Sequence, residues 1–366
     1  MQQKRIIISA GGTGGHIFPA LAVAGEIKDA FPDSEILFVG ALGKMEMEKV
    51  PASGFKIVGL PVMGFPRKPG IKWVKFFRML LQSNKKAKQI IKNFKPNIAV
   101  GFGGFASGPV LRAAARKGIP TVIQEQNSYA GITNKLLSKK VKRICVAYEN
   151  MERFFPADKL VLTGNPVRKN LLDKLPGIKD SRSFFNLKSE DQVVLIIGGS
   201  LGARSINNDV INNLEKIRES DIKIIWQTGA FYFDEMVQKT TENKPQNLQL
   251  HKFLMQMDMA YGATDVIISR AGAGTISELC FVGKPVILVP SPNVAEDHQT
   301  KNAKALVEKN AAILIKDQDI NEILFDKTFR LLEDQEKLIE LSANIKKLAK
   351  PKATKMIADE ILALIQ

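Results

Sequence analysis

GGTGGH, residues Gly11-Gly12-Thr13-Gly14-Gly15-His16, decides how this chain is read. It follows the apolar run Ile6-Ile7-Ile8 and precedes a helix-like segment over residues 17–30. A strand, a glycine turn and a helix in that order make a corner suited to a phosphate or a sugar. Glycine lets the backbone approach a ligand closely, and a helix N-terminus offers unpaired N–H groups and partial positive charge. The spacing is not G-x-G-x-x-G, and no Gly-Lys-Ser/Thr follows to make a P-loop. His16 stands at the loop-to-helix junction, where a titratable ring either reaches into a cleft or caps the turn.

The same pattern returns along the chain. An apolar run over 98–100 feeds GFGGFASG (101–108), VVLII (193–197) feeds GGSLGAR (198–204), and VIIS (266–269) feeds RAGAG (270–274). Another run, 121–123, ends at Gln124-Glu125-Gln126-Asn127-Ser128, polar residues placed where open α/β sheets bind their ligands. Such a length and such a repeat predict two Rossmann-like α/β domains in tandem, 1–163 and 164–349, crossing near Gly164-Asn165-Pro166-Val167-Arg168.

Charge separates the halves. The net charge of +16 comes wholly from residues 1–163, which hold 26 Lys and Arg against 10 Asp and Glu; the remainder holds 27 of each. The first domain therefore has an anionic partner, a nucleic acid or an anionic membrane surface. There is no aromatic RNA-binding motif, basic tail or zinc knuckle, which argues against nucleic acid. The loop Phe65-Pro66-Arg67-Lys68 is the membrane candidate. The helical run over 72–94, with Trp73, Phe76 and Phe77 among lysines, either lies on lipid or packs its aromatics on the sheet. No run of about 18 apolar residues is present to span a bilayer. Cys145 and Cys280 lie in separate apolar runs and read as buried, reduced thiols of a cytoplasmic protein. His16, His251 and His298 lack zinc-site spacing, and Asp317-Gln-Asp319 reads as a helix start, with Asp319 and Glu322 as a capping pair. No metal is expected.

Taken together, GGTGGH (11–16), GFGGFASGP (101–109), EQN (125–127), GNPVR (164–168), GGSLGAR (198–204), RAGAGTISE (270–278) and DHQTKNA (297–303) cover nearly the whole chain in order. In these stretches it resembles the GT-B glycosyltransferases of the MurG type, which join N-acetylglucosamine (GlcNAc) from UDP-GlcNAc to a lipid-linked MurNAc-pentapeptide. The resemblance implies a GT-B fold: two Rossmann-like domains facing across a cleft, with a last helix (about 350–366) crossing back to the first. It also implies a peripheral enzyme on the cytoplasmic face of the cell membrane, taking UDP-GlcNAc in the second domain and the undecaprenyl-pyrophosphoryl acceptor in the first.

The site residues follow from the same resemblance. Ser200 and Arg168 fall at the donor's diphosphate, Glu278 at its ribose and Leu254 at its uracil, with 273–278 (Ala273, Gly274, Thr275, Ile276, Ser277, Glu278) wrapping the nucleotide. Gln299 and Asn127 fall at the GlcNAc ring, and Thr13, Gly14 and Gly15 close over the donor. Gly14, Gly15, Gly103, Gly104 and Ser107 suit the acceptor pyrophosphate. Inversion in one displacement needs a base on the acceptor hydroxyl and no protein nucleophile. His16 is the candidate base, since an ordinary imidazole titrates near roughly 6.5, and Glu125 is the reserve. The family usually has His where this chain has Gln124, which tells against acid–base work at that position. The rivals are another membrane-surface GT-B enzyme with a diacylglycerol acceptor and a UDP-GlcNAc 2-epimerase.

Overall fold

The computed structural model describes residues 3–64, 70–167, 171, 175–199 and 201–365, leaving aside the side chains at 295 and 322. The chain divides into two compact units, Met1–Val167 with Lys350–Gln366, and Arg168–Ala349.

The first unit is one parallel sheet. Its strands are β1 (Arg5–Ser9), β2 (Glu35–Ala41), β3 (Lys56–Leu60), β4 (Ile98–Gly101), β5 (Thr121–Glu125), β6 (Arg143–Val146) and β7 (Leu160–Leu162), in the order β3-β2-β1-β4-β5-β6-β7. The helices used below are α1 (Gly14–Ala30), α2 (Glu46–Ala52), α3 (Ile71–Phe94), α4 (Ser107–Ala115) and α5 (Ile132–Leu137). A strand turns successive side chains to opposite faces. Ile6 and Ile8 accordingly pack with Ile17, Val23 and Ile27 of α1, and Ile7 packs with Val39, Ile91 and Val110 on the other face. Helices cover both faces, which is why the central strand is an unbroken apolar run. The C-terminal helix Ala353–Leu362 adds Ile357 and Ile361 to the α1 side, so the end of the chain completes the core of its beginning.

The second unit repeats the plan with β8 (Val193–Ile197), β9 (Lys223–Gln227), β10 (Leu248–His251), β11 (Val266–Ser269), β12 (Val286–Leu288) and β13 (Ile313–Leu314), all parallel, in the order β10-β9-β8-β11-β12-β13. In each sheet the winding reverses once, between β1 and β4 and between β8 and β11. Ligands of open α/β sheets bind at the carboxyl ends of strands beside such a switch point. The four glycine-rich turns follow these four strands.

The structure departs from the sequence expectations in several places. β5 runs through Glu125, so Gln124 and Glu125 belong to the strand and are buried within the unit. β10 was not foreseen, because four residues with Gln249 and His251 among them carry too little apolar signal. Asp319 precedes the helix Ile320–Glu333 without a side-chain capping bond. Asp317 of the same triplet instead accepts from Ser205 Oγ at 2.6 Å and pairs with Arg270. A mostly buried guanidinium needs a counter-charge, and that need decides where the acid goes.

Of the aromatics of α3, Phe94 joins the buried core, and Trp73, Phe76 and Phe77 are not among the buried residues of the helix. Trp73, Phe76 and Phe77 cluster with one another, with ring centroids 5.6–6.1 Å apart. Ile71, Val74, Phe77 and Leu81 are 88, 71, 53 and 71% exposed, and the first buried residue of the helix is Ser83. Phe65, Arg67 and Lys68 lie outside the described residues.

Candidate active site

In the first unit two glycine turns close on each other. Gly104 has φ +82°, and a Cβ there would sit 2.3 Å from the Gly11 carbonyl oxygen. Gly103 has φ +97°, and its Cβ would sit 2.8 Å from the ring of His16. Packing between the turns thus already demands both glycines. Ser107 is fully buried, its hydroxyl within reach of the carbonyls of Gly103 (2.7 Å) and Ser9 (3.0 Å). Its side chain is a clasp between β1 and α4.

His16 sits in the first turn of α1, behind Thr13, Gly14 and Gly15. Its Nδ1 is 3.0 Å from the Gly11 carbonyl and 3.3 Å from Thr13 Oγ1. A carbonyl only accepts, so the proton is on Nδ1 and Nε2 is the basic nitrogen. The ring therefore both braces the turn and keeps a defined acceptor.

Glu125 is tied into the unit by several donors. It is 2% exposed, and its carboxylate accepts from the Asn127 N–H (3.1 Å), Asn127 Nδ2 (3.3 Å), the Gly131 N–H (3.0 Å) and Asn134 Nδ2 (2.9 Å). Four donors occupy both oxygens, so Glu125 organises the 126–131 loop. The neighbouring amides form one buried network. Gln124 Nε2 donates to Asn165 Oδ1 (2.8 Å), Gln126 Nε2 donates to the Phe102 carbonyl (2.7 Å) and to Gln124 Oε1, and Asn165 Nδ2 donates to the Gln126 carbonyl (2.9 Å). Gln124 is wholly buried, its side chain used within this network.

In the second unit Gly202 (φ +87°) would bring a Cβ within 2.0 Å of the Thr228 carbonyl, and Gly229 (φ +82°) one within 2.1 Å of the Gly202 nitrogen. The turn after β8 is thereby locked to the one after β9. Gln227, at the end of β9, joins the same assembly: its Oε1 accepts the Leu254 N–H at 2.9 Å and its Nε2 donates to the Gly199 carbonyl at 3.3 Å. The Leu254 N–H is therefore used internally.

Residues 273–278 are not a loop but the first turns of the helix Ala273–Val282, with Ala273 and Ile276 buried in the core. The segment also presents the N–H groups of a helix start to a ligand. Glu278 is half-buried, with the Tyr261 hydroxyl donating to it at 3.5 Å. Gln299, in the first turn of the helix His298–Val307, accepts the Ser291 N–H at 2.9 Å. Glu296 and Asp297 just before it hold left-handed backbone (φ 55° and 51°), strain of the kind found at ligand sites. Arg168 and Ser200 lie outside the described residues. Among the described residues no cluster of His, Cys, Asp and Glu suits a metal ion.

Sequence reading missed Glu46, Asn134 and Gln227. Gln227 had a signal, a polar residue closing the apolar strand KIIWQ as Glu125 closes TVIQE. Glu46 had none, since MEMEKV reads as an ordinary surface helix.

Two doubly wound parallel sheets in tandem, glycine turns at both switch points and a chain end that returns to the first unit define the GT-B fold. Residues 6–146 match the glycosyltransferase family 28 N-terminal domain and residues 193–357 its C-terminal domain. The chain is 53% identical over 365 residues to the UDP-N-acetylglucosamine--N-acetylmuramyl-(pentapeptide) pyrophosphoryl-undecaprenol N-acetylglucosamine transferase of Parabacteroides distasonis, covering 100% of this chain and 99% of the relative. It is 55% identical to the protein of that name from Phocaeicola vulgatus, over 99% and 97%. The crystal structure of Acinetobacter baumannii MurG superposes with a TM-score of 0.80 at 30% identity, covering 99% of both chains. A UDP-GlcNAc 2-epimerase from Neisseria meningitidis, at 17% identity and a TM-score of 0.68 over 98% and 100%, shares the fold alone. The chain belongs to glycosyltransferase family 28, among the UDP-N-acetylglucosamine--N-acetylmuramyl-(pentapeptide) pyrophosphoryl-undecaprenol N-acetylglucosamine transferases.

Proposed function

We infer that the protein transfers GlcNAc from UDP-GlcNAc to the MurNAc 4-hydroxyl of undecaprenyl-pyrophosphoryl-MurNAc-pentapeptide, with inversion, at the cytoplasmic face of an anionic membrane. The observation that carries this reading is identity at more than half of all positions, end to end, with transferases named for that donor and acceptor.

The second unit takes the donor. The 198–203 turn and the start of the helix Ala273–Val282 meet the diphosphate with backbone N–H groups, and Arg168 and Ser200 add a cation and a hydroxyl. Glu278 accepts from the ribose hydroxyls, the segment at Leu254 borders the uracil, and Gln299 and Asn127 meet the sugar. Leaving-group charge is thus met by preorganised donors, and the transfer needs no metal. The first unit takes the acceptor. His16 Nε2 removes the proton from the attacking hydroxyl, while Thr13, Gly14 and Gly15 close over the donor.

No described helix is long and apolar enough to cross a membrane. Exposed Ile71, Val74, Phe77 and Leu81, interleaved with exposed Lys72, Lys75, Arg78 and Lys85, support a helix start lying on anionic lipid, with Trp73 and Phe76 beside them.

The test is transfer of labelled GlcNAc to a short-chain analogue of the lipid-linked acceptor in the presence of EDTA, with a β-linked product expected. Tight UDP-GlcNAc binding without transfer would move the acceptor to another lipid or the activity to epimerisation. In the same assay His16→Ala lowers turnover by ~10²–10⁴-fold with donor affinity little changed; near-normal turnover would remove His16 from the chemistry.

A further inference from the structure

Behind the first glycine turn lies a carboxylate that belongs to none of the motifs. Glu46 opens α2 and is 0% exposed. Its Oε1 accepts the Ala41 N–H at 2.8 Å and the Gly12 N–H at 3.2 Å, and its Oε2 is 3.2 Å from the same Gly12 nitrogen. Two glycines make room for it: a Cβ on Gly11 would sit 2.3 Å from Glu46 Oε1, and one on Gly40 would sit 2.5 Å from Glu46 Cγ. An apolar side chain would fill the same space without the desolvation that a buried carboxylate suffers, so packing alone does not explain an acid here.

What the acid holds is the peptide on which His16 depends. Gly11 is enclosed by the Glu46 carboxylate and by the backbone of Gly104. The carbonyl of that same Gly11 receives His16 Nδ1 at 3.0 Å. Carboxylate, Gly11–Gly12 backbone and imidazole form one continuous line of contacts. We propose that Glu46 is a positioning residue for the transfer reaction: by fixing the 11–12 backbone it fixes the carbonyl that sets the tautomer and direction of His16. It acts only through the turn. The inference rests on the reading of His16 as the base.

Two variants separate reach from charge. Glu46→Asp keeps the negative charge and withdraws both oxygens by about 1.5 Å, one C–C bond. Glu46→Gln keeps the reach and the Oε1 position that serves both Ala41 and Gly12, and loses the charge. Glu46→Asp lowers kcat by ~10–100-fold and Glu46→Gln by less than ~5-fold, with the KM for UDP-GlcNAc within about twofold of the parent in both.

The second readout is the imidazole itself. The chain has 3 histidines, so nitrogen-15 NMR of histidine-labelled full-length protein resolves their tautomers. His16 carries its proton on Nδ1 in the parent and in Glu46→Gln, and becomes a mixture of tautomers in Glu46→Asp, while His251 and His298 stay in place. An aspartate variant that keeps both kcat and the Nδ1–H signature overturns the proposal, as does a glutamine variant that loses more activity than the aspartate one. A lost signature with unaltered kcat would uphold Glu46 as the anchor and overturn His16 as the base.

Discussion

The two switch points share one plan and are held by different chemistry. In the first unit the anchors are carboxylates: Glu46 grips the turn after β1, and Glu125 grips the loop after β5. In the second the anchor is a neutral amide, Gln227, which joins Gly199 to Leu254, and Asp317 is paired with Arg270. A turn that must receive a diphosphate keeps its field only if nothing negative shares its N–H groups, and an amide can hold such a turn without opposing the helix N-termini. Glycine motifs that look interchangeable in sequence are therefore anchored differently, and under the proposed function the first presents the base while the second holds the donor diphosphate.

Exchanging a glycine in each unit is the strongest way to break that comparison. Gly104→Ala forces a Cβ to 2.3 Å from the Gly11 carbonyl, and Gly202→Ala forces one to 2.0 Å from the Thr228 carbonyl, both at left-handed φ. Gly104→Ala lowers kcat by roughly 10²-fold and leaves UDP-GlcNAc affinity near that of the parent, because the substitution disturbs the His16 and acceptor side and leaves the second unit's turns untouched. Gly202→Ala weakens UDP-GlcNAc binding by a similar ~10²-fold, because the phosphate turn itself moves. Calorimetric titration with UDP-GlcNAc beside steady-state turnover reads both. If either substitution damages both quantities equally, the division of labour fails.

A smaller effect sharpens the contrast within the first unit. Glu125→Ala removes the acceptor of the Gly131 N–H and of the Asn127 and Asn134 amides, leaving these donors in a buried site. Denaturant unfolding registers a loss of about 3–4 kcal/mol, at ~1–3 kcal/mol per unsatisfied group with partial rescue by water. A residue acting as a base gives the opposite pattern, intact stability with collapsed turnover.

Much of the fold was legible because its signals are local. Ile6-Ile7-Ile8 before GGTGGH, VVLII before GGSLGAR and VIIS before RAGAG are buried strands followed by turns, and a strand period and a glycine need no tertiary context to be seen. β10 and α5 were invisible because a four-residue strand and a six-residue helix carry little periodicity. The side-chain partners around the candidate site were less legible. Ser107 and Glu125 sit inside motif stretches, yet their polar atoms turn inward to satisfy backbone and amide groups 2 to 98 residues away in sequence. Glu46 sits outside every motif and holds the turn that opens the chain. Hydrogen-bond partners across such separations are set by the fold and leave no mark on spacing.

The comparison extends to the acids behind the turns, and here the second unit is the less well satisfied. Asp209 lies on the helix Arg204–Asn212 that follows the phosphate turn and is 0% exposed. Its Oδ1 accepts from Asn213 Nδ2 at 3.2 Å, while Oδ2 has no hydrogen-bond partner among the described residues. Burial pushes its pKa up to about 7, against smaller opposing effects of the Asn213 amide and the Lys216 charge. In the unfolded chain an aspartate titrates near roughly 3.9. Between those values the folded state holds a proton that the unfolded state has released. The contribution of Asp209 to stability is therefore complete below about pH 4 and is lost as the pH rises through about 7. Asp209→Asn keeps an oxygen for Asn213 and removes the charge. The variant is expected to be more stable than the parent by roughly 1–3 kcal/mol at pH 8, an advantage that shrinks steadily as the pH is lowered to 4. Paired thermal denaturation curves across that range test it. An advantage independent of pH would mean that the Asp209 carboxyl is satisfied in the folded protein much as Glu46 is, and that the two units treat their buried acids alike.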